Sequence, residues 1–273
     1  SISSTNVKTN DFSWQTSLIY SHNRTEITNL YNQGRVIDLV QGNGFAKQGY
    51  PARALFSIPF VGINEKGNPV CINEKGQATV GDLNFQERDN TDYLIYEGST
   101  DPIYNGSLGN TFNYKGFHLN LFLTYAFGNV VRLDPVFKAK YNDLTSMTHD
   151  FKNRWMQPGD ENVTNVPGVV SRYEYEQNRT LLSTAYNAYN YTSVRTAKGD
   201  FIRLKEISLA YDFPHRWLEN SPVNNISLKL QATNLMLLYA DKKLNGQDPE
   251  FMNAGGVASP MPKQFTLTLK LGL

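Results

Sequence analysis

The chain has 273 residues, of which 40% are hydrophobic and 19% charged, and its formal net charge is +1. A nucleic-acid-binding protein carries a basic excess, so 26 Lys and Arg against 25 Asp and Glu argue against one. The single cysteine, Cys71, excludes a disulfide framework and a cysteine-based zinc cluster. No run approaches the ~18 apolar residues of a membrane-spanning helix. A soluble β protein and an outer-membrane barrel remain.

Strict alternation of apolar and polar residues predicts long strands with one apolar and one polar face. The pattern is clearest at the C-terminus, where Phe265 and every second residue after it are apolar. Six segments follow it: residues 12–20, 108–114, 117–127, 201–213, 225–233 and 264–273. In a barrel the polar faces line the lumen, which assigns a lumen-facing position to His118, Asn120, Lys229, Gln231, Thr266 and Lys270.

The connections between these segments differ in length. Lys115-Gly116 is a two-residue hairpin turn, and residues 214–224 are a short link with one helical turn around Trp217. The remaining connections are long, at about residues 21–102, 128–200 and 235–263. Short turns at one end of the strands and long loops at the other are the layout of transmembrane β-barrels.

Two further patterns lie inside the long loops. Residues 135–155 have loose helical spacing, which predicts a helix in the second loop. Residues 50–96 could add one more pair of strands. The sequence from Ile63 to Gly67 recurs from Ile72 to Gly76, and we interpret both copies as glycine turns that frame a small hairpin.

Aromatic residues at the strand ends favour the barrel, because such residues form girdles at the two membrane interfaces. They are Trp14, Tyr20, Tyr114, Phe117, Tyr125, Phe127, Tyr211 and Phe213. A soluble β-sandwich is the alternative, since its strands also have one apolar face, and it would suit a carbohydrate-binding module.

No set of residues predicts catalysis. The four histidines are far apart, and no nucleophile, phosphate-binding or zinc-protease motif occurs. Asp248 and Glu250 are too close in one loop to act from opposite sides of a sugar. We therefore expect no enzyme activity, no cofactor and no metal site.

Six motifs occur in an order that resembles one protein family. The most specific is KGDFIRLKEISLAY at residues 198–211, followed by Pro214. The others are GYPARALF at 49–56, GSTDP with NTFNYKGF within 98–117, RWMQPGD at 154–160, QATNL at 231–235, and GQDPE at 246–250 with PMP at 260–262. Together they resemble the SusC/RagA-like TonB-dependent transporters of the Bacteroidetes outer membrane.

The resemblance implies an all-β fold: residues 1–273 would be the C-terminal part, with six to eight strands, of a roughly 22-stranded antiparallel transmembrane barrel around a plug. The plug, the TonB-binding segment and the earlier strands would then belong to a preceding part of the protein. Such a transporter crosses the outer membrane many times and contacts lipid and lipopolysaccharide.

The resemblance also implies a function, namely TonB-driven import of oligosaccharides or oligopeptides beneath a SusD-like surface lipoprotein that acts as a lid. A TonB-dependent siderophore or cobalamin receptor is the alternative, and it would need no such lid. Loop aromatics are the candidates for substrate contact, although loop packing or contact with the lid would also explain them. They are Trp155, Tyr173, Tyr175, Tyr186, Tyr189 and Tyr239.

Two basic residues do not fit the lipid face. Arg203 and Lys205 share alternation with Ile207, Leu209 and Tyr211, which are predicted to face lipid. A charge at mid-bilayer costs about 2–4 kcal/mol, and the cost falls to about zero at the interface. We therefore predict that both residues lie beyond the outer boundary of the membrane or follow a bulge.

Overall fold

The computed structural model describes residues 1–142, 144, 147–219, 222–252 and 261–272. The strands are β1 Ile2–Lys8, β2 Phe12–His22, β3 Ala54–Ser57, β4 Phe60–Ile63, β5 Pro69–Ile72, β6 Ala78–Thr79, β7 Ile95–Ser99, β8 Tyr104–Tyr114, β9 Phe117–Phe127, β10 Val130–Arg132, β11 Thr196–Lys198, β12 Phe201–Asp212, β13 Asn225–Ala240 and β14 Gln264–Gly272. The α-helices are α1 Val36–Val40, α2 Arg172–Gln177 and α3 Arg179–Asn190.

Seven long strands form one antiparallel sheet, in the order β1-β2-β8-β9-β12-β13-β14, which we call the wall. This confirms the all-β fold, and the strand number falls within the six to eight that the resemblance implies. Alternation predicts six of the seven strands, and β1 is the one that it missed. Residues 50–96 add none, because β3 to β7 form two small separate sheets.

Paired residues of neighbouring strands point to the same side of a sheet, so the register sorts the wall into two faces. On one face Leu209 pairs with Leu119 and with Leu230, and Leu230 pairs with Leu267. This apolar face is open, and Leu267 is 69% exposed. In a β-sandwich the apolar face would pack on a second sheet, so the soluble sandwich is wrong.

Two bands of aromatic rings bound the apolar face. At the end with the short turns, Phe117 and Tyr211 have ring centres 4.4 Å apart. At the other end, Tyr20 and Tyr104 have ring centres 6.3 Å apart, and Tyr125 lies in the same band. Tyr125 follows Phe117 by eight residues, about 26 Å along the strand. In a barrel whose strands tilt by about 40°, the two bands would be about 20 Å apart along the barrel axis, close to the height of a transmembrane barrel's apolar belt.

The short turns have the predicted geometry. Lys115 and Gly116 both have positive φ, 46° and 87°, which is the two-residue turn that follows the twist of a hairpin. A single 3-10 turn, His215–Trp217, lies in the link between β12 and β13. Both predictions for this end of the wall are confirmed.

The long connections gather at the opposite end, and we call their described residues within 23–103, 128–200 and 241–263 the loop layer. Its helical turns besides α1 to α3 are the 3-10 helices His149–Asn153, Asp160–Asn162, Ser193–Arg195, Lys242–Leu244 and Pro249–Phe251. The predicted helix at 135–155 is wrong, since its described residues hold only a 3-10 turn. The third loop begins at residue 241 instead of 235, because β13 continues to Ala240.

The buried apolar residues lie mostly in the loop layer. One cluster combines Phe56 and Ile58 of the first loop with Ala188 of the second. Another combines Val131 of the second loop with Leu244 of the third. The loops therefore share a core, as the elements of a soluble domain do. None of the helices among the described residues is long and apolar enough to cross a membrane.

Candidate functional site: the polar face and the loop layer

The six residues predicted to face a lumen all lie on the polar face of the wall. Ala210 pairs with His118 and Lys229, which places these two side chains on the same side. Ser208 pairs with Asn120 and with Gln231. Thr266 and Lys270 join this face from β14, where they pair with Gln231 and Ser227. The register shows that the six side chains share one face of the sheet. It stays a prediction that this face lines a lumen.

A hydrogen-bonded chain crosses the polar face near the short turns. The two ring nitrogens of His118 lie 2.5 Å from Asn113 Oδ1 and 2.9 Å from Asp212 Oδ2. Asn113 Nδ2 donates to Ser13 Oγ at 2.9 Å. Four strands are linked in this way, so His118 has a structural partner on each side.

Arg203 lies on the polar face, where β12 meets the loop layer. The register of β12 shifts between Leu204 and Glu206 against both neighbouring strands. Against β9, Lys205 is an extra residue in a bulge, whereas against β13 the extra residue lies on β13. Beyond the bulge the alternation is reversed, and Arg203 pairs with Thr124 of the polar face. For Arg203 the predicted bulge is confirmed.

The third loop folds over the polar face to reach Arg203. Arg203 Nη2 lies 2.5 Å from Asp248 Oδ2 and 2.7 Å from Glu250 Oε2, with Arg203 and Asp248 both buried. The two carboxylates thus neutralise one buried guanidinium. This explains the Asp248-Pro249-Glu250 sequence as an anchor for the loop.

A second buried arginine joins the first and second loops. Arg132 Nη1 donates to Thr192 O at 2.7 Å, while Nη2 donates to Phe56 O at 2.7 Å and Ser57 Oγ at 3.0 Å. Burial lowers the pKa of Arg132 to about 10, so the group stays charged at neutral pH. The loop layer is therefore held by polar contacts as well as by its core.

Two of the six predicted substrate residues belong to that core. Tyr186 and Tyr189 are 1% and 2% exposed. The Tyr186 hydroxyl donates to Gly168 O at 2.5 Å, and the Tyr189 ring meets Phe137 edge-on with centres 5.1 Å apart. Both rings therefore pack inside the loop layer, and their contact with a substrate stays a prediction.

A third predicted residue, Tyr239, lies in strand β13 and not in a loop. It pairs with Ile202, and its ring centre is 6.5 Å from that of Phe127 in the outer aromatic band. Tyr239 thus belongs to the outer aromatic band of the apolar face, and its contact with a substrate stays a prediction.

Three predicted residues remain accessible in the second loop. Tyr173 is 78% exposed, and the Tyr175 hydroxyl lies 3.2 Å from Ser183 Oγ, a hydrogen bond that lowers the pKa of Tyr175. Trp155 is half-buried, and its Nε1 donates to Glu161 at 2.9 Å. Contact of these three side chains with a substrate stays a prediction.

The repeated sequence of the first loop forms two equivalent turns. Asn64 Oδ1 accepts hydrogen bonds from the backbone of residues 66 and 68, and Asn73 Oδ1 does the same nine residues later. Gly67 and Gly76 have φ of 79° and 74°. The turn interpretation is confirmed. Among the described residues, no three His, Cys, Asp or Glu side chains converge on a possible metal position.

The sequence interpretation missed a cavity of about 350 Å³ within the first loop, at the point where the loop leaves the wall. Its lining includes Arg24, Glu26, Tyr50, Tyr96 and Asp101. Tyr50 and Asp101 lie in two of the motifs that resemble the transporter family, the GYPARALF and GSTDP stretches. Two motifs that resemble the same family thus meet at this cavity. Their resemblance was the signal in the sequence that could have pointed to it.

Comparisons with known proteins agree with these motifs, although no family model matches the chain. TonB-dependent receptor P3 of Formosa agariphila is 24% identical over 271 residues, which cover 92% of this chain and 24% of the receptor. TonB-dependent receptor P39 of the same organism is 23% identical over 313 residues, with 95% and 28% covered. The chain thus spans about a quarter of the length of these relatives.

Solved structures show the same fold. The RagAB peptide transporter superposes with a TM-score of 0.69 at 20% identity, covering 98% of this chain and 28% of that one. The RagAB peptide importer in its open-open state gives 0.68 at 20% identity, with 99% and 28% covered. The chain is thus similar to the SusC/RagA-like TonB-dependent transporters, as its motifs predict.

Proposed function

We propose that this chain is part of the barrel wall of an outer-membrane transporter that imports nutrient oligomers, either oligosaccharides or oligopeptides, with energy supplied through TonB. The two faces of the wall carry this proposal. One is an open apolar band between two aromatic girdles, which suits lipid and lipopolysaccharide, and the other is polar.

The edges of the wall support a larger barrel. Strands β1 and β14 each have one neighbour among the described residues. Unpaired backbone groups are costly in hydrocarbon, so a sheet in a membrane must close. We propose that further strands of the same transporter, roughly 22 in all, complete the barrel around a plug. The plug and water would then contact the polar face.

The loop layer supports an extracellular binding role. Its own core holds exposed rings such as Tyr173 in place, and rigidly placed loop aromatics suit recognition of oligomers. We propose that the layer lies outside the cell, contacts a SusD-like surface lipoprotein and receives substrate. The relatives are named as receptors and transporters, which fits a protein that is not an enzyme.

Uptake in cells tests the proposal. Cells carrying the complete transporter should take up labelled oligopeptides or oligosaccharides, and both deletion of its gene and loss of TonB should abolish that uptake. Uptake that continues without TonB would contradict the proposed energy source.

Purification from native membranes tests the partner. A SusD-like lipoprotein should co-purify with the transporter in detergent. Iron- or cobalamin-dependent growth without such a lipoprotein would instead favour the siderophore or cobalamin receptor.

A further inference from the structure

The cavity of the first loop lies next to the polar side of the sheet. Backbone hydrogen bonds continue the pairing of β8 beyond its end, with β2 from Asn23 N to Ile103 O at 2.9 Å and with β9 from Ile103 N to Phe127 O at 3.0 Å. Asn23 and Ile103 share alternation with Ser21 and Ser107, which belong to the polar face. Both line the cavity, so it adjoins the proposed path of a substrate.

Aromatic rings form the apolar part of the cavity. The ring centres of Tyr50 and Tyr96 are 4.9 Å apart, with an angle of 56° between the rings. Tyr96 is 40% exposed, and the buried Phe56 supports both rings from behind, with centres 5.0 and 5.5 Å away. The arrangement leaves an apolar recess with one accessible tyrosine edge.

Two unpaired charges of opposite sign lie beside this recess. Neither Arg24 nor Glu26 has an ion-pair partner among the described residues, whereas the nearby Asp101 is paired with Arg53 at 2.7 Å. Arg24 and Tyr96 line the same cavity, and the charge of Arg24 offsets part of the rise in the pKa of Tyr96 that burial causes.

We propose that this cavity is a subsite for charged oligopeptides, an inference that rests on the proposed import of oligomers. Arg24 would bind a peptide carboxylate, Glu26 an ammonium group, and the recess of Tyr50 and Tyr96 an apolar side chain. A neutral sugar would leave the charges of Arg24 and Glu26 without partners. The rings of Tyr50 and Tyr96 are tilted against each other, so they offer no pair of parallel faces on which a sugar ring could stack. The chemistry therefore favours peptide over neutral glycan.

Calorimetric titration of the complete transporter in detergent tests the subsite. The ligands are a tripeptide with a central phenylalanine and free termini, the same tripeptide with acetylated and amidated termini, and a neutral trisaccharide. Arg24→Gln and Glu26→Gln should each weaken binding of the free tripeptide about tenfold, the effect of one lost charge-assisted hydrogen bond. The blocked tripeptide should bind weakly to every variant.

Matched control variants change the same charges elsewhere in the first loop. Glu65 and Lys66 are exposed in the turn at Ile63–Gly67, so Glu65→Gln and Lys66→Gln should bind the free tripeptide as the unmodified protein does. Equal binding by all four variants, or tighter binding of the trisaccharide, would overturn the subsite. If TonB-dependent uptake persists in that case, the proposed function stands without it.

Discussion

The wall and the loop layer use the same apolar residues in opposite ways. Leu267 in the wall is 69% exposed, whereas Leu39 in the loop layer is 1% exposed. Exposed leucines suit a wall that faces hydrocarbon, as the proposed function requires, whereas the loop layer buries its leucines as a protein region in water does. The exposed fraction of the leucine side chains therefore distinguishes the two regions more clearly than their amino-acid composition does.

The largest effect is expected where the two regions are joined. Arg203→Ala would leave Asp248 buried without its partner, which costs about 3–5 kcal/mol in the free energy of unfolding. Urea unfolding of the complete transporter in detergent measures this loss of free energy of unfolding. The control is Arg53→Ala at the exposed pair with Asp101, where a change of at most about 1 kcal/mol is expected. Similar values for both variants would show that Arg203 is not an anchor.

A leucine truncation in each region tests the comparison directly. Leu39→Ala leaves a cavity in the loop core and should cost about 2–5 kcal/mol. Leu269→Ala removes a side chain that is 58% exposed, and lipid fills the space, so its effect should be much smaller. Unfolding in lipid vesicles compares the two. Equal losses would mean that the apolar face is covered by protein.

A charge placed on each face of β14 tests the sidedness of the wall. Leu267→Arg puts a charge toward lipid and should cost about 2–4 kcal/mol near mid-bilayer. Thr266→Arg places the same charge on the polar face one residue away, with little expected loss. Folding yield in vesicles reports both, and a larger loss for Thr266→Arg would reverse the assignment of faces.

The smallest effect concerns the reactivity of Cys71. Burial raises the pKa of its thiol to about 12, far above the ~8.5 of a free thiol. Maleimide labelling of the folded protein should therefore stay slow from pH 7 to 10, whereas the unfolded protein should react faster as pH rises through about 8.5. Any other cysteines of the complete transporter are replaced by serine. Rapid labelling of the folded protein at pH 8 would show an open loop layer.

The sequence predicts the wall well because apolar and polar residues alternate wherever the pairing between strands is regular. The prediction fails at β-bulges. In β1 the register shifts between Thr5 and Val7, which hides the strand, and in β13 Asn234 has a φ of 55° just where the predicted strand ends. One extra residue reverses every later position, so a period-2 pattern cannot be followed across it.

The loop layer was much harder to predict. Burial in this layer depends mostly on contacts between distant loops, which no local pattern shows. Helix α3 is the exception. Leu182, Ala185, Tyr186 and Tyr189 are spaced as one face of a helix, and they are the buried stripe of α3.

The bulge at Lys205 has a consequence for comparing this chain with its relatives. It gives β12 two phases of alternation, because the residues on the apolar face are even-numbered before the bulge and odd-numbered after it. An alignment that places a gap at residue 205 assigns Arg203 to the polar face. One that runs straight through assigns the same arginine to the apolar face, and it exchanges the faces of every residue of the strand before the bulge.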